Sequence, residues 1–211
     1  MNTKSKPAKL VSSVFTLDQI QAILGSITAR SATGMRNRAL LAVLFAAGLR
    51  VSEAVNLLPA DIDHEKNQVL VRHGKGNKTR RVGILPALLP FLQCWLEKRA
   101  SLGFNGREPI FCTFSAGETR KQSGDAISPS YVRGFLARLQ KKMPEGMRLH
   151  THAFRHSLAN LLVERGINLS TISAQLGHSS TAVTDHYLRK ISPQELCAAI
   201  AAIPMDKMQV N

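Results

Sequence analysis

His152-Ala153-Phe154-Arg155-His156 is the stretch from which the rest of the chain can be read. On a helix running from Thr151 to Arg165 and stopped at Gly166, His152 and Arg155 are three positions apart and share a face, while Leu158, Leu161 and Leu162 supply the buried one. A zinc site of the His-Glu-x-x-His kind would need Glu where Ala153 stands, and His152 with His156 alone gives too few ligands. The sequence therefore predicts no metal. Taken alone, the pentapeptide also fits an amphipathic helix that merely exposes His and Arg to solvent.

Downstream everything reads as helix. One segment covers Ser170 to Leu176 and ends at Gly177, and a second covers about Thr181 to Lys190. Ser192-Pro193-Gln194-Glu195 is a capping box that opens a last helix to Ile203, with Leu196, Ile200 and Ile203 on one face. Upstream, Ser128-Pro129 starts a helix to Lys142, with Pro at the favoured first position. Ser115 to Ile127, rich in Gly, Ser and charge, reads as a mobile surface loop, and Pro109 to Phe114 as a short strand.

Pro86 to Leu102 is helical, with Pro90 either in its first turn or breaking it. Two strands, Gln68 to His73 and Thr79 to Leu85, flank Gly74-Lys75-Gly76-Asn77-Lys78, which has hairpin chemistry. Before them come helices at Ser52 to Leu58 and Met35 to Ala47, the latter stopped at Gly48. Thr16, with Gln19 three residues on, caps a helix whose apolar face is Leu17, Ile20, Ile23, Leu24 and Ile27. The expected class is α+β, mainly α, with a small antiparallel sheet. Residues 1–14 read as a flexible basic arm, 15–203 as one domain and 204–211 as a tail.

Composition narrows the partner. The 211 residues carry 28 Lys and Arg against 14 Asp and Glu, a formal charge of +14, which favours a polyanion and nucleic acid before membrane. A cationic surface serving only solubility is the plainer reading of charge alone. Hydrophobic content of 44% and charged content of 20% are globular values. No apolar run reaches the length of a membrane span, and Met1 to Ser13 lacks the apolar stretch of a secretory signal, so a cytoplasmic protein is expected. Cys94, Cys112 and Cys197 are odd in number and sit in apolar contexts, as reduced core residues do.

Ordered along the chain are Ala47-Gly48-Leu49-Arg50-Val51-Ser52-Glu53, the Gly-Lys-Gly-Asn-Lys turn, His152 with Arg155, Leu176-Gly177-His178-Ser179, and Tyr187 nine residues after His178. From about Phe15 to Ile200 this set resembles the tyrosine recombinase (phage integrase) family, whose catalytic domain carries Arg, Lys, His-x-x-Arg, His or Trp, and Tyr in that order. The resemblance implies that family's catalytic-domain fold and a site-specific recombinase or integrase. It implies double-stranded DNA as partner, a homo-tetramer on DNA with a possible accessory DNA-bending protein, and no cofactor.

By that resemblance Tyr187 attacks the phosphodiester and keeps the 3′ phosphate covalently, so rejoining needs neither ATP nor metal. Arg50 and Arg155 supply planar forks that match phosphate oxygens. His152 and His178 donate to the same oxygens, His152 also being placed to accept the tyrosine proton, and Lys75 is matched as general acid for the 5′ oxygen. Lys78 competes with Lys75 for that role or touches the DNA backbone, as Arg80 and Arg81 are expected to. Glu53 and His156 are supporting residues, although Glu53 also reads as an ordinary i+3 partner of Arg50. His178 alone reads equally as a helix stop. Tyr131 is the only other tyrosine, and its place before Val132, Phe135, Leu136 and Leu139 assigns it to packing.

Family members usually carry an N-terminal helical core-binding domain that clamps DNA. The helix at Thr16 already belongs to the catalytic part, so that domain is expected to be absent, as in the short recombinases of fimbrial phase variation. The Ser192–Ile203 helix either packs on its own domain or docks on a neighbouring protomer. Two other functions stay open: an inactive DNA-binding accessory protein of this fold, and a type IB topoisomerase-like relaxing enzyme.

Overall fold

A computed structural model describes residues 14–72, 79–104, 106–114, 124–177 and 192–205. Lys75, Lys78, His178 and Tyr187 lie outside the described residues, as do most of the 1–14 arm, most of the 115–127 loop and the 181–190 helix.

Eight helices occur among the described residues: α1 (Leu17–Gly25), α2 (Ala32–Ala46), α3 (Val51–Val55), α4 (Leu89–Ser101), α5 (Pro129–Gln140), α6 (Thr151–Glu164), α7 (Leu169–Leu176) and α8 (Pro193–Ala201). An antiparallel sheet in the order β1-β2-β3 joins Ile62–Asp63, Gln68–Val71 and Arg80–Gly83. The α+β, mainly helical expectation therefore holds, with boundaries moved by local chemistry. Thr16 and Gln19 form the expected capping box of α1. α2 starts before Met35 because the Ser31 hydroxyl accepts the Gly34 N–H. α3 starts at Val51 because Glu53 reaches back to the Arg50 N–H, and it ends at Val55, short of Leu58.

α2 is buried around its whole circumference, from Arg36 through Ala46, as the central rod of a core normally is. α1, α3, α4 and α6 pack around it. At its C-terminus Gly48 takes φ +63, and a Cβ there would stand 2.8 Å from Leu158 and 2.9 Å from Leu176. Only glycine fits this stop, which lays α6 and α7 against the end of α2.

Pro86–Leu88 forms a 3₁₀ turn, and α4 begins at Leu89 with Pro90 in its first turn, so the proline does not break it. The strand expected at Pro109–Phe114 does not form; only a Cys112–Ala126 bridge is present. Phe111 O and Thr113 O accept backbone N–H groups from Ile127 and Gly124, but side chains claim the alternate carbonyls. Trp95 Nε1 donates to Ile110 O at 2.8 Å and Arg36 Nη1 to Cys112 O at 2.8 Å. β1, a two-residue strand paired through Ile62 with Val69, is too short to show a strand period in the sequence.

α8 lies on its own domain. Leu196, Cys197 and Ile200 are buried, and the helix packs on β3 and α7. Cys112 and Cys197 are buried free thiols, and burial pushes the Cys197 thiol up to about 11.

Candidate active site

Arg50, Glu53, Arg80 and Arg155 are brought together where the loop after α2, strand β3 and the C-terminus of α7 converge. Glu53 stands at the centre. It sits three residues into α3, so its carboxylate folds back over the helix start and accepts the Arg50 N–H at 2.9 Å. The same carboxylate takes Arg50 Nη1 at 3.0 Å and both terminal nitrogens of Arg80, at 2.9 and 3.0 Å. Its side chain is only 2% exposed. Burial works against the charge, but the hydrogen bonds from Arg80 and Arg50 outweigh it and hold the carboxyl below its usual range.

Arg80 reaches Glu53 because of strand alternation. Its partner across the ladder is Val71, and it shares a sheet face with buried Val82, whereas exposed Arg81 points the other way. Of the two arginines expected at the DNA, Arg80 is engaged fork-to-fork with Glu53 and Arg81 is exposed at the surface.

Arg155 lies on α6 with 4% exposure. Its Nη1 donates to Gly48 O at 2.6 Å, and its Nη2 to Leu176 O. Arg50 Nη2 donates to Gly177 O at 3.3 Å, so the same α7 turn receives both arginines. Gly177 takes φ +62, and a Cβ on it would stand 2.7 Å from Arg80 Nε. Burial first, and repulsion from Arg50 next, lower the Arg155 guanidinium to about 10, which leaves it charged at neutral pH. Among the described residues no carboxylate pairs with Arg155 directly. Three guanidinium groups face one carboxylate, a local excess of two positive charges in a mostly buried place. Such an arrangement of charge among the described residues attracts an anion.

His152 and His156 are both exposed on α6, their ring centroids 6.4 Å apart. His150, which the sequence reading did not single out, is the cap of this helix: its Nδ1 accepts the Ala153 N–H at 3.2 Å. Burial, then Arg148, His152 and His156, hold its ring below the ordinary histidine range. Its position before Thr151 was the available signal, although histidine is not among the usual capping residues. Among the described residues no three His, Cys, Asp or Glu side chains gather as a metal would require.

Tyr131 packs, as expected, and is also bonded. Its hydroxyl accepts from Arg36 Nη2 at 2.6 Å and from Asn37 Nδ2 at 3.1 Å, and the Arg36 guanidinium stacks 4.9 Å from its ring. A hydroxyl so held on α5 is far from free to attack a phosphate.

Comparison with known proteins follows the same lines. Residues 13–192 match the model of the phage integrase family. A putative integrase/recombinase, y4qK, of Sinorhizobium fredii is 37% identical over 196 residues, 92% of this chain and 56% of that protein. The tyrosine recombinase XerA of Thermococcus onnurineus is 33% identical over 189 residues, covering 88% of this chain and 62% of that one. Among solved structures, the XerH site-specific recombinase bound to palindromic difH substrate, a post-cleavage complex, superposes with a TM-score of 0.65 at 26% identity, over 83% of this chain and 49% of that one. The chain thus spans only about half to three fifths of the length of these relatives.

Proposed function

This chain belongs to the phage integrase family, and from that membership we propose that it cleaves and rejoins double-stranded DNA at specific sites through a 3′-phosphotyrosyl intermediate on Tyr187. The observation that carries the reading is the buried Arg155, charged, held by two backbone carbonyls, and beside an Arg50 whose own charge is shared with Glu53. A scissile phosphate complements this positive charge, and two planar forks suit its non-bridging oxygens.

Tyr187 Oη attacks the phosphorus and passes its proton to His152. The bond from phosphorus to the 5′ oxygen breaks, and that oxygen takes a proton from Lys75, with Lys78 as the rival donor. Arg50, Arg155 and His178 carry the charge that builds on the phosphoryl oxygens. Attack by a 5′ hydroxyl reverses the steps and releases Tyr187. Glu53 and Arg80 keep Arg50 in place, His156 supports the site from α6, and Arg81 meets the DNA from the surface. The protein acts as a tetramer on DNA in the cytoplasm, aided by a DNA-bending protein. No described helix is long and apolar enough to cross a membrane.

A library of nicked duplexes with randomised sequence, incubated with wild type and with Tyr187→Phe, tests this. The expected outcome is a covalent protein–DNA adduct with wild type on a subset of duplexes and none with Tyr187→Phe. Tight binding without any adduct would instead make the chain a DNA-binding accessory protein. Adducts accompanied by relaxation of a supercoiled plasmid carrying one such sequence, with no joining of two sites, would point to a topoisomerase.

A further inference from the structure

Gln175 is fully buried one residue before the end of α7 and belongs to no step described above. Its side-chain amide makes three hydrogen bonds. Nε2 donates to Ala47 O at 3.1 Å and to Gly83 O at 2.7 Å, while Oε1 accepts the Gly83 N–H at 3.0 Å. The amide orientation is fixed by these partners, because the reverse would set an oxygen against two carbonyls. Toward Gly83 it completes the pairing that a neighbouring strand would otherwise provide.

The three bonded segments are the ones that carry the charged site. Ala47 lies three residues before Arg50, and Gly83 three residues after Arg80. Leu176, the last residue of α7, and its cap Gly177 offer the carbonyls that hold Arg155 and Arg50. His178 follows at once in the chain. We propose that Gln175 is a positioning residue for the phosphate site: one buried amide sets the spacing of the Arg50 turn, the β3 strand and the α7 turn, and thereby the aim of both guanidinium forks. This rests on the proposed phosphodiester cleavage.

Gln175→Met keeps the length and apolar bulk while leaving the Gly83 N–H and O and the Ala47 O without partners. The test uses the full-length protein and the nicked duplex that wild type selects. That duplex is prepared in two forms, with the natural scissile phosphate or with a methylphosphonate, which lacks one non-bridging charge. Misaimed forks should slow single-turnover cleavage of the phosphodiester on the order of 100-fold. The neutral methylphosphonate depends less on them and should lose far less, so the ratio of the two rates falls. A role confined to stability would lower both rates together, in step with the folded fraction, and that result overturns the proposal. An unchanged rate on both substrates overturns it as well.

Gln175→Glu is the second variant, and it serves if the Met variant does not fold. Protonated, the acid accepts from Gly83 N–H and donates to one carbonyl; ionised, it meets two carbonyls. Its phosphodiester-to-methylphosphonate ratio should recover as pH falls, and a pH-independent ratio counts against Gln175. If wild type forms no adduct with any duplex, the cleavage reading itself fails, an outcome distinct from wild type cleaving while the variant ratios stay at the wild-type value.

Discussion

Glu53 is the residue on which most of the local electrostatics turns. It neutralises one of three arginines and caps α3 with the same two oxygens. Removing its charge leaves Arg50 and Arg80 side by side without a counter-ion, and breaking such a buried pair costs about 3 kcal/mol. Glu53→Gln should lower the urea midpoint at pH 7 accordingly. The folded-state carboxyl is held below its usual value near 4.5, so its contribution is present above that pH and is lost as pH falls through the lowered value. Urea titrations of wild type and Glu53→Gln should therefore converge as pH drops below about 4.5.

Arg155 offers a complementary test. Lys in its place keeps the charge but has no planar fork to span Gly48 O, Leu176 O and a phosphate together. Single-turnover cleavage by Arg155→Lys should fall by an amount near the ~3–4 kcal/mol that a preorganised donor supplies. DNA affinity measured by gel shift should change little.

At the scale of elements, α6 depends on His150. The ring caps the helix only while Nδ1 is unprotonated. Burial and the neighbouring Arg148, His152 and His156 keep its folded value below the ordinary 6.5. The cap is thus fully effective above about pH 6.5 and is lost as pH falls through the lowered value. Thermal melting should show His150→Ser less sensitive to acid than wild type over that window, because a serine cap does not titrate.

The contact of α8 with β3 is a second element-scale feature. A Cβ on Gly83 would come within 2.6 Å of Ile200 Cβ. Gly83→Ala should destabilise by about 1–3 kcal/mol as the helix is pushed outward. Ile200→Gly, which removes the contacted Cβ, should cost less in the Gly83→Ala background than in wild type, and a double-mutant cycle by chemical denaturation would read that coupling. Independent, additive losses would mean that the two residues do not press on each other.

For the whole molecule, the +14 charge is a property of the surface and of the site together. Each Lys or Arg that neutralises a phosphate releases counter-ions, so DNA affinity should fall linearly on a log–log plot against salt, with a slope of about −0.9 per contact. Arg81, exposed, should contribute to that slope, whereas Arg80 is committed to Glu53. Fluorescence anisotropy across a salt series, with Arg81→Ala and Arg80→Ala compared, would distinguish them. The Arg81 variant should flatten the slope by about one contact. The Arg80 variant should act chiefly through stability.

Chain-local chemistry was legible from the start. Thr16 with Gln19 and Ser192 with Glu195 announce helix starts, Gly48 and Gly177 announce stops, and the His152–Arg155 spacing puts chemistry on one helix, because each of these depends only on residues a turn apart. What crosses the chain was not. That α2 is buried on every side, that Ile110 and Cys112 give their carbonyls to Trp95 and Arg36, and that Gln175 ties Ala47 to Gly83 all follow from separate segments meeting in space. Arg80 and Arg81 show the division most simply. Adjacent and chemically identical in sequence, they differ because strand alternation and the placement of Glu53 send one guanidinium inward to a buried carboxylate and leave the other in water.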